Sequence, residues 1–430
     1  MMLDKPYNKN DFLNFLNDNL LSDFIYDERK VQVADKSLLI SVSQLGTSQD
    51  SNITVLEVYC DEVNSNKRIA ITQNTFRVLR NYGISNALVA FCYGTNQWRL
   101  SLLTSKLELR DGKILNIESN PRRYSYLLGE GAKTHTPYRF LIEKGRVSSI
   151  QSLKERFSVE VVNKQFYDSI ARLFTELVGG ERAGRTYPGV LKIYGISKTS
   201  IELQEFAVRL IGRIMFCWFL KEKKGDTGIP LVPESILSLE AVKENNDYYH
   251  NIIEPLFFEL LNTQGRRRKP EFKVKPFNLI PYLNGGLFNP QKGDYYKYSS
   301  VTRSGSVGIL SIPDSWFISF FELLSQYNFT VDENTSYDVD LSIDPEMLGR
   351  IFENLLAEIN PETGESAKKN TGSFYTPRDI VDYMVDSSLF YYLQEKTSIG
   401  TDKLNGIISY NKEDDGNSLS VKELPSSSLL

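Results

Sequence analysis

The chain of 430 residues is long enough to fold into two or three domains with a large buried core. Its composition, 41% hydrophobic and 24% charged, is that of a globular protein, and its 24 tyrosines and 24 phenylalanines leave little room for long disordered segments. The formal net charge of -4 excludes an overall basic surface, so any contact with nucleic acid must come from local basic patches.

The three cysteines, Cys60, Cys92 and Cys217, lie far apart, and the chain shows no zinc-site spacing. Separated thiols of this kind favour a reducing compartment. The N-terminus lacks the basic and apolar segments of a secretory signal, and the longest apolar run, residues 211–220, is too short to span a bilayer. We therefore expect a cytoplasmic protein without a membrane partner.

The first part of the chain predicts an α/β domain. Apolar and β-branched residues indicate, in order, a helix over residues 8–21, strands over 37–42 and 53–60, a helix over 73–82, and strands over 87–93 and 98–104. Residues 105–150 are polar and rich in turn formers, which is typical of a domain edge and a connecting segment.

From residue 149 the pattern changes to long helices and predicts a mostly α-helical domain. Apolar residues recur at helical spacing over 153–177, and those over 203–220 surround so much of a helix that it should lie buried in a bundle. Arg209 and Arg213, four residues apart on one face, can pair with carboxylates or reach phosphate, and so apolar a helix favours pairing with carboxylates. A further buried helix is predicted around Trp316.

Two helices flank a polar loop near residue 370. Asp344 precedes the first helix, whose apolar residues recur until Asn360. Thr376 can cap the second helix and Pro377 can form its first turn, because proline lacks the N–H that this position leaves unpaired. The predicted inner face of the second helix is a stripe of five apolar residues, Ile380, Val381, Met384, Val385 and Leu389.

The run 343–356 and the segment 372–378, Gly-Ser-Phe-Tyr-Thr-Pro-Arg, resemble the start of the methyltransferase domain of type IIG restriction-modification enzymes. Those enzymes combine a nuclease, a helical connector and an N6-adenine DNA methyltransferase in one chain. The resemblance covers most of residues 35–390 and includes 206–224 and 281–288. It implies a protein of phage defence that acts on double-stranded DNA with S-adenosylmethionine. By resemblance, one side of the cofactor pocket would be lined by Phe374, Tyr375, Thr376 and Pro377.

The order of helix, strands, helix and strands is also the order expected of the restriction-endonuclease fold. Its chemistry needs an Asp and a Glu to bind Mg²⁺ and, two residues after the Glu, a lysine near the attacked phosphate. Asp50 and Glu57 are the best pair for the catalytic and metal-binding carboxylates, but the residue two after Glu57 is Tyr59. A lysine or Gln73 on a neighbouring element can substitute. The simpler interpretation is a degenerate nuclease-like domain.

The most basic stretch is Arg266-Arg267-Arg268-Lys269. In a loop, such a cluster can neutralise DNA phosphates and give salt-dependent, sequence-independent binding. The alternative is a solvated loop without a ligand. The resemblance to DNA-modifying enzymes is what favours DNA contact by these four residues.

Two motifs of an adenine methyltransferase do not occur in the chain. No Gly-x-Gly follows a strand after residue 377, and Asn-Pro-Pro is absent, although the enzyme needs such elements for the cofactor and for the flipped adenine. We therefore expect no methyl transfer by this polypeptide alone, and we interpret it as the front part of a longer enzyme. Two alternatives remain open: a non-enzymatic chain that binds DNA or the remainder of the methyltransferase, and an active Mg²⁺-dependent endonuclease.

The predicted organisation has four parts. They are a nuclease-like α/β domain over residues 1–148, a helical connector over 149–340, the leading helices and first cofactor-side motif of a methyltransferase domain over 341–397, and a polar tail over 398–430.

Overall fold

The computed structural model describes residues 2–33, 37–61, 67–105, 107–110, 113–116, 122–193, 201–223, 228–283, 286–291, 294, 310–330, 338–358, 376, 378–397, 399–401 and 404. The chain divides into two compact units, Met1–Thr371 and Gly372–Leu430.

The strands of the first unit are, in chain order, β1 (Ile25–Val31), β2 (Leu39–Ser48), β3 (Ile53–Cys60), β4 (Asn86–Cys92), β5 (Gln97–Thr104), β6 (Leu107–Arg110), β7 (Lys113–Asn116), β8 (Arg122–Gly129), β9 (Gly180–Arg182), β10 (Arg185–Tyr187), β11 (Lys192–Ile193), β12 (Leu310–Ser311) and β13 (Asp338–Asp340). Seven of them form one mixed sheet with the order β1-β2-β3-β4-β5-β8-β13. The others pair two by two, as β6 with β7, β9 with β10 and β11 with β12.

The α-helices are α1 (Lys9–Phe15), α2 (Arg68–Asn81), α3 (His135–Tyr138), α4 (Ile150–Arg156), α5 (Val159–Val178), α6 (Ile201–Glu222), α7 (Leu239–Glu244), α8 (Asp314–Ser325), α9 (Pro345–Glu358) and α10 (Arg378–Lys396). Short π-helical segments extend α1 over Leu16–Leu20 and α3 over Arg139–Glu143, and two more lie at Tyr249–Ile253 and Leu256–Leu261.

The central strand of the sheet, β4, has an almost entirely apolar sequence. β4 is buried along almost its whole length because α1 and α2 cover opposite faces of the sheet, as the two separate core clusters on either side show. β3 and β4 run parallel, and α2 supplies the crossover between them. The predicted α/β fold is thus confirmed, and it is consistent with a nuclease-like domain.

Three strands of the sheet, β1, β8 and β13, were not predicted. β1, with the sequence Ile-Tyr-Asp-Glu-Arg-Lys-Val, is mostly exposed at the sheet edge and carries charges that do not alternate with apolar residues. β8 lies within residues 105–150, which were interpreted as a domain edge and a connecting segment. It was not predicted because its two arginines weaken the strand pattern. Its position is set by the antiparallel partner β5.

The helical part packs around one large core cluster built mainly by α5, α6 and α8. The helical region predicted over 153–177 consists of two helices, α4 and α5, and Ser158 caps the second one by accepting a hydrogen bond from Val161 N–H. The predicted pairing of the arginines of α6 is confirmed. Arg213 Nη1 lies 3.0 Å and Arg209 Nη2 lies 3.4 Å from the carboxylate oxygens of Asp294, which is fully buried.

After the helical part the chain returns to the sheet. β13 pairs in parallel with β8, Asp338 opposite Arg123 and Asp340 opposite Ser125. These residues fall in the range that the sequence assigned to the connector. α9 follows directly, and Asp344 caps it by accepting a hydrogen bond from Met347 N–H at 2.8 Å, as the sequence predicted.

The predicted inner face of α10 is not buried. All five residues of the stripe are exposed, from 41% for Val381 to 58% for Met384. The prediction assumed a covering surface, and no described element of the second unit supplies one. Among the residues that the structure describes, no helix combines the length and the hydropathy needed to cross a membrane.

Candidate functional site

Glu57 lies at the centre of a polar cluster on the face of the sheet that α1 covers. Its side chain is only 3% exposed. The register places Glu57 beside Ser43 of β2 and Ala90 of β4, and side chains alternate between the two faces along a strand. Glu57 therefore shares its face with the core cluster that contains Ala90 and the apolar residues of α1.

Two residues at the start of α1 bind the Glu57 carboxylate. Tyr7 OH donates a hydrogen bond to Glu57 Oε1 at 2.7 Å, and Lys9 Nζ lies 3.1 Å from Glu57 Oε2. Lys9 Nζ also donates to Glu28 Oε1 at 2.8 Å, and Tyr26 OH donates to Glu28 Oε2 at 2.5 Å. One ammonium thus bridges two carboxylates, each of which has a tyrosine as a second donor.

The surroundings of Tyr7 and Lys9 keep both side chains protonated. Burial, together with the charge of Glu57, raises the pKa of Tyr7 well above its ordinary value, so the phenol remains a donor. The hydrogen bond to Glu28 is the main cause that raises the pKa of Lys9, so the ammonium remains charged. Asn8 caps α1 by accepting from Asp11 N–H and so fixes Lys9 at the first helical position.

Asp50 lies elsewhere. It is exposed in the turn between β2 and β3, and its backbone N–H donates to Asp23 Oδ2 at 2.8 Å. Glu57 is four residues into β3 from Ile53, which at strand geometry is about 13 Å further along. The structure therefore does not bring Asp50 and Glu57 together, because the hairpin turn and the middle of the strand are separate places.

The residues around Glu57 do not fit the predicted magnesium site. Both of its carboxylate oxygens already accept from Tyr7 and Lys9. In the described part of the chain, no group of three or more His, Cys, Asp or Glu side chains is placed to hold a metal ion. The pair of Asp50 and Glu57 proposed from the sequence is thus corrected, and the geometry of these residues leads to no metal-dependent step.

A second charged cluster lies on the opposite face of the sheet, under α2. Arg68 Nε lies 2.8 Å from Asp338 Oδ2, and Arg68 Nη1 lies 2.7 Å from Asp340 Oδ2. Arg99 of β5 also pairs with Asp340. Arg68 is one of the cations nearest to Glu57 in sequence, but its guanidinium pairs with the carboxylates of β13 and not with Glu57.

Arg123 completes this second cluster and is fully buried. Its guanidinium donates to Ser101 Oγ at 3.1 Å, to Thr72 Oγ1 at 3.0 Å and to Tyr93 OH at 3.3 Å, and it lies 3.9 Å above the ring of Phe91. Each nitrogen of the guanidinium thus donates one hydrogen bond, which stabilises a charge that cannot reach water.

The basic stretch 266–269 divides into two kinds of side chain. Arg266, Arg267 and Lys269 are exposed, and Lys269 Nζ pairs with Glu259 at 3.0 Å. Arg268 is only 5% exposed, and its guanidinium donates to backbone carbonyl oxygens. The prediction that Arg268 contacts DNA is corrected on this ground, since its donors point into the protein. DNA contact by the other three residues stays a prediction.

The predicted cofactor-side motif falls mainly outside the described residues. Phe374, Tyr375 and Pro377 are among the residues that the structure does not describe, and Thr376 is exposed. Their proposed role in binding S-adenosylmethionine therefore stays a prediction from the sequence motif.

Sequence reasoning missed the partners of Glu57. Tyr7 and Lys9 lie 50 and 48 positions before Glu57, so no local motif joins them. A signal was present in part, because the Asn8 cap and the acidic first turn mark the start of α1 and place Lys9 on it. Nothing in the sequence states which strand this lysine faces.

A comparison with known proteins finds a similar protein whose name describes an activity. The chain is 29% identical over 198 residues to a protein of Methanocaldococcus jannaschii named "Putative type II restriction enzyme and methyltransferase". The match covers 44% of this chain and 15% of the relative, so the chain spans a small share of the length of that protein.

No protein-family model matches the chain, and no solved structure matches it.

Proposed function

We propose that this chain is the nuclease-like and connector portion of a type IIG-like restriction-modification protein. In the complete enzyme, the methyltransferase part would transfer a methyl group from S-adenosylmethionine to N6 of adenine in double-stranded DNA. The observation that carries the proposal is the similarity to a protein named as a restriction enzyme and methyltransferase. The seven-stranded sheet with its α2 crossover supports a nuclease-like first domain.

The exposed helix α10 supports a partnership with the remainder of a methyltransferase. Large apolar side chains are exposed around this helix and not along one stripe, with Tyr383 at 72% and Tyr391 at 67% exposure in addition to the predicted face. So much exposed apolar surface on one helix, which also carries Asp382 and Asp386, is typical of a surface that a partner covers. The chain contains no Asn-Pro-Pro, so we propose that methyl transfer requires residues from outside this chain.

We propose that the nuclease-like domain does not cut DNA by itself. The Glu57 carboxylate is occupied by Tyr7 and Lys9, and Asp50 is remote from it. The role that this leaves to the chain is binding of duplex DNA and of the methyltransferase part, in the cytoplasm.

Four assays on the purified chain test the proposal. We expect salt-sensitive binding of duplex DNA, with a non-specific Kd of roughly 10⁻⁴ to 10⁻⁶ M, measured by fluorescence anisotropy. We expect no methyl transfer and only millimolar or absent binding of S-adenosylmethionine by calorimetry. Failure to bind duplex DNA at low salt would overturn the DNA-directed role. Mg²⁺-dependent cutting of plasmid that is lost in Glu57→Ala would overturn the non-cutting role.

A further inference from the structure

Residues 262–282 form a closed loop that begins and ends at the same place. Leu283 N–H donates to Leu261 carbonyl oxygen at 2.8 Å, which joins the two ends. Between them the chain makes three single turns of 3-10 helix, at Gly265–Arg267, Pro270–Phe272 and Phe277–Leu279. Compact surface loops with joined ends are often functional. We call residues 262–282 the basic loop.

Arg268 holds the basic loop together from inside. Its Nη2 donates to Leu260 O and to Ile280 O, each at 2.8 Å, its Nε donates to Thr263 O at 3.1 Å, and its Nη1 donates to Phe277 O at 3.2 Å. One guanidinium therefore ties the incoming end of the loop to its outgoing end. Burial lowers the pKa of this guanidinium because desolvation disfavours the charged form, and the four carbonyl contacts oppose that effect.

The loop is also ordered by contacts of its own. The rings of Phe272 and Phe277 pack edge to face at 5.5 Å. Lys273 Nζ donates to Arg266 O at 3.1 Å, and Arg267 N–H donates to Gln264 O at 2.8 Å. The backbone of the loop is thus fixed before any ligand arrives.

The outer surface of the basic loop is strongly positive. Its exposed charged side chains are five cations and one carboxylate: Arg266, Arg267, Lys269, Lys273, Lys275 and Glu271. Lys269 has a carboxylate neighbour in Glu259, which leaves most of this charge uncompensated on the loop itself. The chain as a whole carries a net charge of -4, so the positive surface is local.

We propose that the basic loop is a preformed binding surface for the phosphate backbone of duplex DNA, extending beyond 266–269 to Lys273 and Lys275, and that Arg268 is its positioning residue. The inference rests on the proposed DNA-directed function. Fixed cations neutralise phosphates without the entropic cost of ordering a flexible loop, and such contacts carry no sequence information. Arg268 does not touch the DNA and acts through the backbone that it holds.

The first test removes two exposed cations of the loop. The double variant Arg267→Gln with Lys275→Gln is compared with the full wild-type chain by fluorescence anisotropy on a labelled duplex over a series of salt concentrations. Each phosphate contact contributes about 0.9 to the slope of log K against log salt, so we expect the slope to fall by about 1.8. The matched control is Lys164→Gln with Lys243→Gln, which removes two exposed charges from α5 and α7. Its slope is expected to stay within 0.5 of wild type by the same counterion argument.

The second test separates positioning from direct contact. We expect Arg268→Gln to lower the slope by more than the roughly 0.9 of one phosphate contact. Hydrogen exchange in peptides from residues 262–282 should also become faster, because the loop loses four hydrogen bonds. Arg268→Lys, which keeps the charge and three donors, should restore part of both properties. A lower slope with unchanged exchange would instead mean that Arg268 contacts phosphate and would overturn its positioning role.

The outcomes distinguish this inference from the function on which it rests. If the wild-type chain fails to bind duplex DNA at low salt, the DNA-directed function fails together with the inference. If the chain binds DNA and the Arg267 and Lys275 variant keeps the wild-type slope, the function stands and the basic loop is outside the interface. That variant changes only exposed side chains, so it decides the matter even if Arg268→Gln does not fold.

Discussion

The two faces of the large sheet each bury a charged cluster, and the two clusters differ in what they connect. On the α1 face, Glu57 meets Tyr7 at a separation of 50 residues. On the α2 face, Arg68 meets Asp340 at a separation of 272 residues. The first cluster joins elements of the same domain, whereas the second fastens the returning strand β13 to the sheet.

The two clusters also differ in their access to water. The side chain of Lys9 is 33% exposed, and that of Glu28 is 37% exposed. Arg123 is fully buried, and Asp338 is 3% exposed. Water and salt weaken an ion pair at the surface, whereas a buried charge that loses its partner keeps its full desolvation cost. We therefore expect the α2 face to be far less tolerant of substitution than the α1 face.

The largest effect is expected for Asp338→Ala. Removal of this carboxylate leaves Arg123 buried with a weaker set of partners, and breaking a buried pair costs about 3–5 kcal/mol. Urea unfolding followed by circular dichroism measures the change in the free energy of unfolding. The control Asp168→Ala removes an exposed carboxylate from α5 and should stay within about 0.5 kcal/mol of wild type. A loss as small as that of the control would remove the distinction between the two faces.

A smaller effect is expected for Glu57→Gln. The amide keeps the size of the side chain and an acceptor for Tyr7 OH, but it loses the charge that binds Lys9. A hydrogen bond to a charged group contributes about 1.5–3 kcal/mol to stability. We expect a loss near the middle of that range in the same unfolding assay. Lys9→Gln is the matched partner variant, and its loss should be smaller because its side chain reaches solvent. A loss for Glu57→Gln above that for Asp338→Ala would reverse the comparison.

The smallest effect is a difference in pH dependence. Burial by itself raises the pKa of Asp338, but the nearby Arg123 and Arg68 guanidiniums outweigh it, and the pKa is lowered. A lowered folded pKa contributes stability that is present above the unfolded value of about 3.9 and is lost as pH falls through the folded value. The stability difference between wild type and Asp338→Asn should therefore be constant above about pH 5 and shrink below about pH 4.

The Glu57 cluster should respond at the other end of the pH scale. The pKa of Lys9 is raised, chiefly by its hydrogen bond to Glu28, so its contribution is fully present below the unfolded lysine value of about 10.4 and is lost as pH rises through the folded value. Unfolding of wild type and Lys9→Gln between pH 4 and pH 11 tests whether the stability difference persists in mild acid and begins to fall above the unfolded lysine value. A stability difference for Lys9→Gln that disappears in mild acid would contradict the assignment.

The sequence predicted elements whose signals are local. The cap at Asp344, the apolar helix that became α6 and the pairing of its arginines with a carboxylate were all expected from residues a few positions apart, or from the cost of an unpaired buried charge. β1, β8 and β13 were missed because charged residues interrupt their strand patterns and because their places depend on partners that are distant in sequence.

The candidate sites, too, could be predicted from the sequence only as far as local patterns allow. The basic stretch 266–269 was visible in the sequence. Because all four residues are cations, the sequence did not indicate that Arg268 alone points inward. The carboxylates Asp50 and Glu57 were chosen by spacing, and the hairpin places one at the turn and the other in the middle of a strand.

The sequence by itself predicted the α/β fold of the first part, the buried helices of the helical part, and motifs that resemble those of restriction-modification enzymes. These depend on residue type and short-range periodicity, which the chain carries directly. Only the tertiary structure decided that Lys9 binds Glu57, that Arg268 closes the basic loop and that β13 completes the sheet. Such contacts join residues that chain geometry leaves unrelated until the whole core has packed, so their partners cannot be read from local sequence.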